Sequence, residues 1–309
     1  MNGHGTWWFF LIVSSLLLLG CGKERKETYS SGEATIFVSE SILPMMEQQV
    51  RDFQKVYPKA KINLRATTDR DAIVRLLNGE TKLAIVARDL NPEEQLVIRQ
   101  NKITVNSIRF GIDAIAVIVN EKSALDSLTT QQITAMFRGK TTEWKRIQPN
   151  LTGHISHAIT GVNTATYEIL TRTLLNGQTT NCTLIPCTTS TQVIKYVEEN
   201  QNAVGYVGIN WLTGTEHHYV KELKIGDATV SYDSVSNSRT LFPYQFYLWK
   251  RVYPFTRDLF ALSTDTDAGL PAGFTVYLMN APGQKTVLNA GMVPGNSRMP
   301  ITLVPAGSR

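Results

Sequence analysis

Residues 112–120 read IDAIAVIVN, a stretch in which only Asp113 and Asn120 are polar. A short apolar run rich in Ile and Val belongs in a strand covered on both faces, and the cover has to come from helices. The chain supplies them. LAIVA, residues 83–87, is a second apolar run suited to a buried parallel strand. Around these two, residues 34–38 and KINLRA read as strands. Pro44 to Tyr57 reads as an amphipathic helix, with Met46, Val50, Phe53 and Tyr57 on one stripe and Pro58 as its stop. DAIVRLLNG is a helix closed by Gly79, and Asn91-Pro92-Glu93-Glu94 opens another. Further on, TTQQITAMFRG, residues 162–177 and TQVIKYVEENQ are helical, while AVGYVGI and FTRDLFAL (255–262) are strands. GFTVYLMN and GQKTVLNAG close the chain as helices, the second ending at Gly291. Strands alternating with helices predict an α/β fold with largely parallel sheets. The strands at 112–120 and 255–262 are the candidates for two crossings between lobes. One lobe then takes 34–112 and 255–309, and the other takes 113–254.

The N-terminus carries an apolar run, WWFFLIVSSLLLLG (7–20), too short to span a bilayer comfortably. It ends in Leu18-Leu19-Gly20-Cys21, which looks like a bacterial lipobox, although MNGHGT in front of it lacks Lys and Arg. Residues 1–20 are then a signal peptide, Cys21 is the lipidated residue, and 21–33 form a solvated tether. The alternative is a short anchor that is never cleaved. The lipobox places the protein on the periplasmic or extracytoplasmic face of a bacterial membrane, lipid-anchored. Two further cysteines, Cys182 and Cys187, stand in NCTLIPC. An oxidising compartment favours a bridge between them, and two unpaired thiols are the alternative. Two sulfurs with no His beside them do not make a zinc site.

Formal charge is +5, from 31 basic and 26 acidic residues. These are spread along the chain, with no Lys/Arg block interleaved with aromatics, so nucleic acid is excluded as a partner.

Four strand-to-helix junctions are rich in hydroxyls or charge: Ser39-Glu40-Ser41, Thr68-Asp69, Arg88-Asp89 and Thr164-Ala165-Thr166. One hydroxyl at a helix start is an ordinary cap. Several, beside unpaired N–H groups at the positive end of a macrodipole, could hold an anion, and an Arg could add a bidentate contact. Catalysis finds less support. The histidines are His4, His154, His157, His217 and His218, none of them in a recognisable catalytic pattern, and no G-x-S-x-G is present. Glu216-His217-His218 could touch a metal, but adjacent His side chains point apart on regular structure. No metal and no cofactor is expected.

Order and spacing together carry a resemblance that covers nearly everything after the tether. AIVARDLNPEE is similar to a Ser-Arg-x-Leu stretch followed by an acid. DAIAVIVN, continuing to Phe137, Gly139 and Trp144, is similar to an Asp-Gly-Ile-Ala-Val-Ile-Val-Asn segment with its Phe-x-Gly…Trp turn. AVGYVGINWL, YPFTRDLFAL and GFTVYLMNAPGQKTVLNAGMVP match further motifs of the same set. The chain resembles the substrate-binding lipoprotein of phosphate ABC importers, among the two-lobed periplasmic binding proteins of type II. That resemblance implies a monomer with a ligand cleft between lobes. It would bind inorganic phosphate, or a similar oxyanion such as sulfate or molybdate, and deliver it to an ABC permease. A sensor or scaffold on the same fold is a further alternative. The implied ligand groups are Ser39, Glu40, Ser41, Thr68, Asp69, Arg88, Thr164, Ala165 and Thr166, with Glu40 and Asp69 as acceptors for a phosphate proton. The ligand loops also differ from the family. Thr68-Asp69-Arg70 stands where a Gly-Ser-Gly loop is usual, Thr164-Ala165-Thr166 where Ser-Gly-Thr is usual, and Thr160 where an Arg is usual.

Overall fold

The computed structural model describes residues 28–213, 219–227, 239–264 and 269–295. The signal peptide, Cys21, most of the tether and the Glu216-His217-His218 group lie outside the described residues.

In chain order the strands are β1 (Gly32–Ser39), β2 (Ala60–Thr67), β3 (Leu83–Val86), β4 (Asn106–Asn120), β5 (Ser127–Thr129), β6 (Ser156–Ile159), β7 (Leu184–Pro186) and β8 (Ala203–Gly208). They continue with β9 (Val220–Glu222), β10 (Lys224–Gly226), β11 (Thr256–Ser263) and β12 (Val293–Pro294). The helices are α1 (Leu43–Val56), α2 (Asp69–Leu77), α3 (Pro92–Gln100), α4 (Thr130–Phe137) and α5 (Ala165–Leu175). They continue with α6 (Ser190–Glu199), α7 (Gln245–Trp249), α8 (Leu270–Met279) and α9 (Ala281–Asn289).

The main sheet runs β2-β1-β3-β11-β4-β8-β6-β7. β4 is the member common to both lobes. Its first part, Asn106–Ala114, pairs with β11, and Ile115–Val119 pairs with β8. One continuous strand therefore belongs to the lobe-1 sheet at one end and to the lobe-2 sheet at the other. Helix α2 covers one face of the lobe-1 sheet through Ala72, Ile73 and Leu76 against Ala84, Val86 and Leu262. α1, α8 and α9 cover the other, where Phe53 meets Phe274 and Tyr277 edge-on. In lobe 2, α6 lies so close on β8 that a Cβ at Gly205 would come within 2.7 Å of Val197 Cγ2.

Two features differ from the sequence expectation. The outer pairs β1–β2, β1–β3, β6–β7 and β6–β8 are parallel, as alternating strands and helices predict. Every pairing of β4 and β11, however, is antiparallel. A strand that carries the chain from one lobe to the other has no crossover helix returning it beside a parallel neighbour. β4 also begins six residues before the apolar run. Asn106–Arg109 are exposed yet paired with β11, so backbone pairing extends where burial does not.

The second difference concerns the expected bridge. Cys182 and Cys187 are free thiols. The extended segment Leu184–Pro186 lies between them, and extended backbone advances about 3.3 Å per residue, beyond the short Cα separation a disulfide demands. Cys187 N donates to Ile159 O while Cys182 Sγ lies 3.0 Å from Thr180 Oγ1, so each end is held by different neighbours. Titration of the unfolded protein without reductant should find two reactive thiols besides residue 21. A count of zero would mean that the bridge forms.

His157, on β6, is 2 % exposed, with Nδ1 3.1 Å from the Tyr206 hydroxyl and its ring edge-on to Phe137. Burial lowers its pKa from 6.5 to about 4. The unfolded chain therefore takes up a proton that the folded chain refuses, so this residue's contribution to stability is lost as pH falls from 6.5 towards 4. The loss should reach about 3 kcal/mol. Urea unfolding across this range should show a shallower pH dependence in His157→Gln than in the parent protein.

Candidate functional site

Helices α2, α5 and α6 all begin near the seam between the lobes, and each needs acceptors for its first N–H groups. Local side chains meet part of that need. Thr68 caps α2 by accepting from Asp71 N at 3.2 Å, Thr164 caps α5 from Tyr167 N at 3.3 Å, and Thr189 caps α6 from Gln192 N at 3.2 Å. The first N–H of the two lobe-2 helices is met from the opposite lobe. Asp69 Oδ2 accepts from Ala165 N at 2.8 Å, and Glu40 Oε1 accepts from Ser190 N at 2.7 Å. The Ser190 hydroxyl adds a bond to Glu40 Oε2 at 2.9 Å. Both acids thus sit at the positive end of a helix macrodipole. Asp69 is 1 % exposed, and its other oxygen accepts from Ala87 N at 2.8 Å, just after β3. One carboxylate therefore joins the end of β3, the start of α2 and the start of α5.

The remaining expected residues surround this point. Ser39 and Ser41 are buried, with their hydroxyls 2.9 Å apart. The Ser41 carbonyl accepts from Asn210 Nδ2 at 2.8 Å. Gly208, at the end of β8, is packed so tightly here that a Cβ would lie 2.5 Å from Ser41 O. Thr166 Oγ1 accepts from Arg257 Nη1 at 3.3 Å, and Thr160 lies behind Thr164 at 3.5 Å.

Arg88 does not turn its charge towards open space. Nη1 and Nη2 form a fork on Glu94 at 2.9 and 2.7 Å, Nη1 also donates to Asp89 O, and Nε reaches Glu168 of α5 at 2.8 Å. Its side chain is 3 % exposed. Arg88 is thus a buried link between lobes, with Glu94 as its main partner. Glu94 is also half of the capping box on Asn91, which aims its carboxylate back at the loop carrying Arg88.

Three groups at the site were not on the sequence list of ligand candidates. Asp113 and Arg257 form an ion pair at 2.6 Å with both side chains 0 % exposed, between β4 and β11. Their signal was present: a single acid inside IDAIAVIVN and a single base inside FTRDLFAL, each in a strand that must be buried. Ser190 had no such signal, since a Ser at a helix start is ordinary. Burial raises the pKa of Asp113 against the pull of Arg257, of Glu40 against its bonds from Ser190, and of Glu168 against Arg88. Among the described residues no group of three or more His, Cys, Asp or Glu could hold a metal ion.

A two-lobed α/β body with helix N-termini facing a seam between lobes is the architecture of a hinged solute-binding protein. The model of the PBP superfamily domain matches residues 24–281, and the chain belongs to that family. It is 23% identical over 208 residues to Protein SphX of Synechococcus elongatus, covering 65% of this chain and 59% of SphX. It is 31% identical over 122 residues to the Phosphate-binding protein PstS 2 of Streptococcus agalactiae, covering 40% of each chain. The aligned part of the chain thus spans less than two thirds of either relative's length. Among solved structures, a Clostridium perfringens protein crystallised with bound phosphate matches with a TM-score of 0.70 at 19% identity, covering 85% of this chain and 99% of that one.

Arg88→Ala should cost about 3–5 kcal/mol in denaturant unfolding, because it strands the buried Glu94 carboxylate. Glu168→Gln should cost under about 1 kcal/mol, because that side chain is 39% exposed. Equal stability in Arg88→Ala and the parent would mean that the pair contributes nothing to the fold.

Proposed function

We propose that this protein is a lipid-anchored receptor that binds inorganic phosphate between its lobes and hands it to an ABC permease. The observation that carries the reading is the pair of lobe-2 helix N-termini, at Ala165 and Ser190, each holding a carboxylate across the seam. An N–H group and dipole that hold a carboxylate will also hold a phosphate oxygen. Family membership supports the reading, as do the phosphate-binding relative from Streptococcus agalactiae and the phosphate-bound structural neighbour. The family is one of substrate-binding proteins, and the proposed role needs no catalytic group.

In this reading Ser39, Ser41, Thr68, Thr164 and Thr166 supply neutral donors, and the N–H of Ala165 supplies the helix end. Arg88 acts at one remove, by holding α5 against lobe 1. Glu40 is the acceptor for the proton of monohydrogen phosphate, which fully ionised sulfate lacks. The lobes divide at 112/113 and 254/255. Release of 1–20 and lipidation of Cys21 tether a monomer to the extracytoplasmic face of the membrane. Among the described residues no helix is long and apolar enough to cross a membrane.

Calorimetry on the protein from residue 22 onward, which retains every described element, should show binding of phosphate and arsenate but not of sulfate or molybdate. Glu40→Gln should weaken phosphate about tenfold or more, since it removes a hydrogen bond to a charged acceptor. Equal affinity for sulfate and phosphate in the parent protein would reject the role of Glu40, and no heat with any of the four would reject the anion receptor.

A further inference from the structure

The seat at the start of α5 is taken by a side chain of the protein itself. Asp69 Oδ2 receives the Ala165 N–H at 2.8 Å, Oδ1 receives the Ala87 N–H at 2.8 Å, and the residue is 1 % exposed. A carboxylate oxygen and a phosphate oxygen ask the same thing of a helix N-terminus, namely an N–H donor and a positive potential. They cannot both occupy the first N–H of α5. The charge around it also weighs against simple addition of an anion. Five carboxylates, on Glu40, Asp69, Glu94, Asp113 and Glu168, stand near it, with Arg88 paired to Glu94 and Glu168, Arg257 paired to Asp113, and Arg172 acting on Glu168. The guanidiniums of Arg88 and Arg257 are already engaged by Glu94, Glu168 and Asp113, so an arriving dianion would also face the carboxylates of Asp69 and Glu40.

We propose that Asp69 is an intramolecular competitor for the ligand. Its carboxylate occupies the oxyanion seat of α5 and links the two lobes, and the ligand binds by displacing it. Asp69 thereby sets affinity and selectivity without being a ligand contact. The inference rests on the anion-cleft reading above and deepens it. A ligand able to displace Asp69 must offer a better acceptor to Ala165 N and tolerate the displaced carboxylate nearby. A partly protonated oxyanion meets both demands better than a fully ionised one of the same shape.

The test uses the full chain and two variants. Asp69→Gly removes the competitor. Asp69→Asn keeps its shape and one acceptor, guarding against loss of the fold at the start of α2. Hydrogen–deuterium exchange without ligand should show the first turn of α5 exchanging at least tenfold faster in Asp69→Gly than in the parent, with an intermediate rate in Asp69→Asn. Added phosphate should restore protection in Asp69→Gly. Equilibrium dialysis with labelled phosphate should show tighter binding by about 10- to 100-fold in Asp69→Gly, the scale of a lost charge-assisted hydrogen bond that no longer has to be broken. Unchanged exchange in both variants would overturn the proposal, as would weaker phosphate binding in both, which would make Asp69 a ligand contact. Faster exchange in the variants with no phosphate binding by any form would uphold the occupied seat and remove phosphate as the ligand.

Discussion

The arrangement of the molecule depends on the unpaired N–H groups at the starts of α5 and α6 being met from the other lobe. A helix that begins at a buried surface must find acceptors for those groups or lose the free energy of desolvating them. Thr164 and Thr189 satisfy one N–H each by local capping. Asp69 and Glu40 satisfy the first N–H of each helix across the seam. At these two helix starts the lobes are therefore joined by charge-assisted hydrogen bonds, beside the apolar core that runs through both. Contacts of that kind can be exchanged for equivalent contacts to an anion, whereas an apolar seam would have to be pulled apart.

The opposite design holds at the crossing. β4 runs unbroken from the lobe-1 sheet into the lobe-2 sheet, and from Phe110 onward it is buried along its length. Arg257 and Asp113 pair across β11 and β4 with no exposure at all. A buried pair of this sort adds little net stability over an apolar pair, yet breaking it is costly, so it holds the register of the two strands. Because Arg257 also donates to Thr166, the crossing and the second residue of α5 are fixed relative to each other. The part of the molecule that must stay rigid is thus held by burial, and the part proposed to exchange partners is held by hydrogen bonds.

Most of the element pattern was legible along the chain. The apolar run at 112–120 lies within β4, FTRDLFAL lies within a residue of β11, and the Asn91 capping box opens α3. Short strands were less legible. β5, β7, β9 and β10 have three residues each and no periodicity to detect. The candidate site was legible as a set of junctions, because Ser39, Glu40, Ser41, Thr68, Asp69, Thr164, Ala165 and Thr166 do converge on one seam. Its internal pairing was not legible. Arg88 binds Glu94 and Glu168, neither of which its own neighbourhood would nominate for the pocket. Cys182 and Cys187 stay apart because a three-residue strand lies between them.

The sequence by itself determined which of the longer segments would be strands and helices, where those helices would start, and that polar and hydroxyl groups would gather at those starts. These follow from side-chain periodicity, caps and turn residues, which act over a few positions. Only the tertiary structure decided which acceptor each helix start would receive. Asp69 and Ala165 are 96 positions apart, and Glu40 and Ser190 are 150 apart. A hydrogen bond requires its partners within about 3 Å, and nothing local in either segment specifies what the rest of the chain brings to that distance. The lobes, meeting along a shared strand, make that choice.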